Sequence, residues 1–467
     1  MNSIDHEFIE KEEKIINILL LCDSISSNKI FIDIISEYGD LDTRFVWMIS
    51  RNLYHVSYSR PHGLICLCNI AKKIFNYLDD NLRFEFQKSL LIPIISFVSD
   101  NESESNSIIT PYESVYLFGF LCRFGLIDPT PRLLFLFNHY KDLSFLNQKE
   151  FINGIRPLLC SCSMMIYNKS PEFFNFVKGV LMNIDEYAAE ELLSLLNVSK
   201  SEYLPTPCQY IPRIEDFPEI SSNARMQMII SNDFIDELRV YWSHPKFEYE
   251  NSTISSLLTP VESLVDNPSL IAFAAYYGSL HCFRFMIING CKIERDLESL
   301  IVNGGNLDLF HIYDKTMPIS NSLLFSSIDY HRDTFTQWYL EHNQIDFNTE
   351  SYMGMSLMHY ACETNNISFL KFLLSKGVGF VFDNEYDSSP FELACQYDCV
   401  SIVSLISNQL PQEEIIKGFI AALNGNANAV CMHLISIFPY IKDNEMVKRL
   451  KNESSDSSLT HALNQLL

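Results

Sequence analysis

Histidines and cysteines that lie close together carry most of the chemistry this chain could perform. His281 stands beside Cys282, and His359 precedes Cys362 by three residues, so each pair offers a base and a thiol, the two parts of a cysteine nucleophile. Cys66 with Cys68, Cys160 with Cys162, and Cys431 with His433 would each give a metal two ligands. Structural zinc sites leave about two to four residues between paired cysteines and need a second pair nearby, and the sequence holds no two such pairs close together. Asp5 with Glu7 and Glu190 with Glu191 bring carboxylates together, but on helical stretches such pairs read as solvated faces. A Gly-x-Ser-x-Gly elbow, a P-loop, a dinucleotide fingerprint and a kinase signature are all missing from the sequence. The expectation is therefore no catalytic site, no cofactor and no metal, with small buried thiols instead. An unrecognised enzyme in residues 1–204 is the alternative.

The elements that would position these residues are mostly helices. Of 467 residues, 47% are hydrophobic and 20% charged, with 34 Phe and 23 Tyr, enough apolar surface to drive folding. Only 15 Gly and 18 Pro interrupt long stretches at helical period. Four prolines fall together, Pro205, Pro207, Pro212 and Pro218, where a helix of ordinary length would break. The chain thus reads as a helical unit at 1–204, a Pro-rich linker at 205–224 and a second unit at 225–467. With 58 acidic against 34 basic side chains the formal charge is −24, which repels phosphate backbones and anionic lipids. Nucleic acid is not expected as a partner. The longest apolar run, Leu90 to Val98, contains Pro93 and Ser96 and falls well short of the ~20 residues that span a bilayer, so no membrane insertion is expected. An acidic start without an apolar export segment, and an odd 13 cysteines, point to a cytoplasmic or nuclear location with free thiols.

Self-comparison of the second unit shows an internal period of 33 residues. Ser356 aligns with Ser389, Met358 with Phe391, Ala361 with Ala394, Cys362 with Cys395, and Leu370 with Val403. A third copy, Ala274 to Gly290, brings Gly290 onto Gly377. Weaker units centre on residues 300–310, 325–340 and 419–434, spaced more closely. The stretch from Gly354 to Gly377 resembles the ankyrin repeat, with a hydroxyl before the first helix, a histidine at His359, Ala361 inside and a closing glycine. The apolar, Asn- and Ile-rich style is similar to the divergent ankyrin families expanded in some protists. The implied fold is all-α: a helical, solenoid-like N-terminal domain followed by an ankyrin-repeat solenoid, with its clearest repeats at 268–291, 354–386 and 387–410.

Each residue type has a physical reason to be there. Ser356 and Ser389 suit helix starts, and Pro390 with Glu392 extends Ser389 into a capping box. Ala274, Ala361 and Ala394 leave room for two helices to cross closely, and Gly290 and Gly377 suit a positive φ at a helix end. The family histidine links neighbouring repeats; His359 keeps it and Glu392 replaces it, so the second link is expected to be lost. Leu410-Pro411-Gln412-Glu413-Glu414-Ile415 resembles the opening of an F-box, although a proline followed by acids is also an ordinary helix start.

The resemblance implies partner capture on the concave face, lined by first helices and turn tips. Carried over by position, the candidates are Tyr276, Tyr277, Tyr352, Met353, Met355, Glu363, Thr364, Glu385, Tyr386, Ser388, Gln396 and Tyr397. The expected role is a protein-protein interaction scaffold or adaptor, its partner protein unidentified and bearing a basic surface; a substrate receptor of a ubiquitin-ligase complex is the competing reading.

Overall fold

The computed structural model describes residues 3–23, 25–39, 41–60, 63–95, 117–119, 121–122, 125–128, 138, 141, 155, 158–159, 166–184, 222–244, 247, 264, 268–347, 349–351, 354–379, 388–425 and 427–443. Among them the regular elements are helices, and an isolated antiparallel bridge joins Glu350 and Ser356.

In the N-terminal part, α1 (Ser3–Leu19), α2 (Ser27–Tyr38), α3 (Thr43–Ser59), α4 (Leu64–Tyr77), α5 (Asp80–Ile95) and α6 (Pro171–Ile184) follow one another. Asp42 starts α3, its carboxylate accepting the Phe45 amide at 2.8 Å and so satisfying a first-turn donor that the helix itself leaves open. Phe45, Leu53, Leu67, Phe86, Phe173 and Leu181 share one apolar core. α3 runs through the middle of this part and packs on α1, α4 and α5.

Among the described residues, seven helix pairs follow. They are α7 (Ser222–Ser231) and α8 (Ile235–Trp242); α9 (Leu270–Tyr276) and α10 (Leu280–Ile288); α11 (Leu297–Gly304) and α12 (Leu307–Asp314); and α13 (Ser322–Asp329) and α14 (Asp333–His342). The last three are α15 (Leu357–Glu363) and α16 (Ile367–Ser375); α17 (Pro390–Gln396) and α18 (Val400–Ile406); and α19 (Gln412–Asn424) and α20 (Asn428–Ile437). First helices pack in chain order, each on the next, as a one-dimensional stack requires. The first pair begins at Ser222, inside the stretch read as linker; residues 205–221 lie outside the described residues.

One turn joins the two helices of a pair. Asp233, Gly278, Gly305, His331, Asn365 and Asp398 occupy it with φ between 48° and 69°. The following amide returns to a carbonyl five residues back: Phe234 to Ile229, Ser279 to Ala274, Arg332 to Ser327, Asn366 to Ala361, Cys399 to Ala394 and Ala427 to Ala422, at 2.8–2.9 Å. Glycine adopts this left-handed backbone without cost, and Asn, Asp and His tolerate it better than other side chains do. Ala274, Ser327, Ala361, Ala394 and Ala422 are fully buried at the carbonyl position, where a larger side chain would push the helices apart. The weak units at 300–310, 325–340 and 419–434 thus carry the same hairpin as the clear ones. Gly290 and Gly377 have the positive φ expected of them, 103° and 76°.

The histidine link forms where it was expected. His359 Nδ1 lies 3.0 Å from the Ser356 amide and 2.7 Å from its hydroxyl, leaving Nε2 to donate to the Ser388 carbonyl of the next repeat at 3.1 Å. Burial pushes the ring down to about 4, so it stays neutral and keeps this tautomer. At α17 the Ser389 hydroxyl accepts the Glu392 amide at 3.2 Å, with Pro390 in the first turn.

Candidate interaction surface

The inter-helix turns form a continuous edge, stitched from repeat to repeat by their own side chains. Asp233 accepts the His281 and Cys282 amides of the next pair at 3.1 and 2.8 Å, and Asp398 accepts the Val430 amide at 2.8 Å. In the other direction Asn306 donates to the Gly278 carbonyl, Arg332 to the Asn303 carbonyl and Asn366 to the Ile328 carbonyl. His331 Nε2 donates forward to the Thr364 carbonyl at 2.9 Å. The turns come so close that a Cβ on Gly304 would sit 2.5 Å from the Ala275 carbonyl oxygen, and one on Gly425 would sit 2.2 Å from that of Gln396.

α3 lies along this edge. Its side chains at Arg51, Asn52, His55, Tyr58 and Ser59 recur at helical spacing, and Arg60 follows directly. Arg51 faces Asp398 of the sixth pair at 3.7 Å, and Asn52 accepts from Asn365 of the fifth at 3.1 Å. Tyr58 donates to the Asp329 carboxylate of the fourth pair at 2.9 Å and stacks on Tyr330, while Arg60 donates to the Tyr330 and His331 carbonyls. Three successive turns are thus read by one helix. α1 adds Glu12, fully buried, which accepts from Arg51, Asn52 and Ser401, and Glu13, which accepts from Ser368 and Lys371. Ile9 and Ile16 of α1 join the apolar core of the repeats, whereas Ile15 and Leu19 join that of the N-terminal part.

The electrostatics follow from enclosing these groups together. Desolvation pushes Glu12 up, but the Arg51 charge and the hydrogen bonds from Ser401, Arg51 and Asn52 outweigh it, and the carboxylate ends below its ordinary range. Among the described residues no cation pairs with Asp329: burial, then the charge of Glu363, drive it up to about 7 against the Tyr58 hydrogen bond. Asp398 rises to about 6 through burial, with Arg51 opposing. His55 falls to about 4 and His331 to about 3, both chiefly through burial.

Several predicted contact residues are elsewhere than the sequence suggests. Tyr276 is fully buried and Met355 and Thr364 nearly so; at these three the resemblance pointed to an outward-facing slot, and the side chain lies inside. Tyr276 meets Tyr277 edge-on, and Tyr277 packs on Phe273, so these rings fill space within the stack. Tyr277, Glu363, Ser388, Gln396 and Tyr397 keep partial exposure, with Glu363 hydrogen-bonded to Tyr397 near Asp329. Tyr352, Met353, Glu385 and Tyr386 lie outside the described residues. Sequence reasoning missed Glu12, Arg51, Asn52, Tyr58 and Arg60. For those on α3 the signal was a polar stripe on an otherwise apolar helix.

The candidate nucleophiles and ligands have structural surroundings. His281 is an exposed partner of Asp233 at 2.6 Å, while the Cys282 thiol is buried and pushed up, away from its reactive form. Both nitrogens of His359 are committed, and the Cys362 thiol is likewise pushed up by burial. Cys66 and Cys68 are buried in α4, and Cys431 is buried in α20; Cys160 and Cys162 lie outside the described residues. Leu410 and Pro411 precede α19, the first helix of the seventh pair, with Glu413 and Glu414 in its first turn. Among the described residues no helix is long and apolar enough to cross a membrane.

No curated protein matches the chain in a similarity search. A family model described as ankyrin repeats matches three copies over residues 324–415, the stretch from α13 into α19. The same pair, turn and return hydrogen bond recur on both sides of that stretch, at Asp233 and Gly278 before it and at Ala427 after it. Ankyrin repeats thus occupy residues 324–415, and the same hairpin continues on both sides of them.

Proposed function

We propose that the chain is a protein-protein interaction scaffold or adaptor, taking a partner protein on the concave side of the repeat stack. The observation that carries this is the repeat itself, a module whose general role is to bind proteins, here with partly exposed polar and aromatic groups at Ser388, Gln396, Tyr397 and Tyr277. The formal charge of −24 favours a basic partner surface and association that slows as salt is added. It disfavours nucleic acid. A cytoplasmic or nuclear setting belongs to the same proposal.

Ser388→Arg together with Gln396→Arg places two cations on this face at positions that are not buried. Affinity purification of the pair variant, compared with the native chain, is expected to lose the captured protein while the melting temperature holds. An unchanged set of captured proteins would remove the concave-face reading. The ligase-receptor reading has the segment Leu410 to Ile415 as its support and predicts co-purified ligase subunits instead.

A further inference from the structure

The contact between α3 and the turn edge is unlike the two apolar cores it separates. Across it, Arg51, Asn52, His55, Tyr58, Ser59 and Arg60 meet carboxylates, amides and carbonyls of three turns. Water would satisfy each of these groups after separation. Glu12 and Arg51 are charged and almost without solvent contact, and enclosing such a pair carries a loss of hydration that their attraction must repay. Among the described residues Asp329 has no cation paired with it, and it sits near Glu363. Among the described residues the apolar contact across the seam is Ile9 and Ile16, with Phe8 and Leu20 packed beside them, whereas every pair within the stack is joined to the next through several buried side chains. The seam is thus the place where the molecule should open first, at a lower free energy than unfolding of the stack.

We infer that α1 and α3 form a releasable cover on the turn edge of the fourth, fifth and sixth repeats, so that the chain's own N-terminal helices control access to the turns at Asn365 and Asp398. The cover is an intramolecular occupant of a surface that a protein partner would need. Its use in regulation rests on the proposed partner binding, but the opening itself does not and is measured without a partner.

Cys399 reports the opening. Its thiol is buried at the sixth turn, 3.9 Å from His55 Nε2 of α3, whereas Cys362 and Cys395 are buried inside the first helices of the fifth and sixth pairs. The full chain is treated with iodoacetamide at neutral pH, and each cysteine peptide is quantified by mass spectrometry, with rates normalised to those in denaturant. Cys399 is expected to react at least about tenfold faster than Cys362 and Cys395. Arg51→Met, which leaves Glu12 buried without its cation, should raise the Cys399 rate further and leave the other two unchanged. Tyr58→Phe, which removes only the hydroxyl bonded to Asp329, should do the same more weakly and guards against a misfolded Arg51 variant. Equal normalised rates for all three thiols, in the native chain and in Tyr58→Phe, would overturn the proposal, since the seam would then open only with the stack.

Discussion

Asp329 shows what enclosure does to a single carboxyl. Its pKa of about 7 in the folded chain lies above the ordinary 3.8, so the folded state holds a proton that the unfolded state has released. Stability therefore falls as pH rises from about 4 through 7 on this group's account. His55 and His331 have the opposite sign, being held neutral, and remove stability as pH falls below 6.5. Between pH 6 and 8 the histidines contribute little, and Asp329 should remove about 1 kcal/mol. Asp329→Asn is expected to flatten that slope in urea titrations at the two pH values; a slope unchanged by the substitution would show that the carboxyl ionises freely. His359 is the other informative residue. Its ring ties the Ser356 amide to the Ser388 carbonyl, and His359→Ala should lower stability by about 2–3 kcal/mol, read from the urea midpoint at unchanged m value.

Among the elements, the helix pairs owe their spacing to where a side chain is missing. Gly304→Ala and Gly425→Ala would each drive a Cβ into a backbone carbonyl of the preceding repeat and should cost about 1–3 kcal/mol. Gly179→Ala is the counterpart: in the exposed face of α6 its Cβ meets nothing within 4 Å, and the change should stabilise by about 0.5–1 kcal/mol. Thermal melts of the three variants test the contrast in sign. The pairs were legible in the sequence for the same reason. Small residues at Ala274, Ala361 and Ala394, a cap at Ser389 and glycines at Gly290 and Gly377 recur because local geometry demands those types at those places. The role of α3 was not legible. A stripe of Arg51, Asn52, His55 and Ser59 has the look of a solvated face, and the groups that desolvate it, Asp398, Asn365 and Asp329, lie hundreds of residues away along the chain. The tyrosines misled for a related reason. Tyrosine suits an interface and a core equally, and burial at Tyr276 is decided by neighbouring repeats rather than by its own type.

For the whole molecule, the repeats and the N-terminal helices are joined along one polar seam, and the proposals on access to the turn edge depend on that seam forming in solution. Asn52 and Asn365, 313 residues apart in sequence and both fully buried, provide its most direct test. Asn52→Ala and Asn365→Gly are combined in a double-mutant cycle on urea unfolding of the full chain; glycine suits the φ of 57° at Asn365, so backbone strain does not enter. A coupling of about 1 kcal/mol between the two positions is the predicted result. Strict additivity, with each substitution acting as though the other residue were far away, would contradict the docking of α3 on the turns.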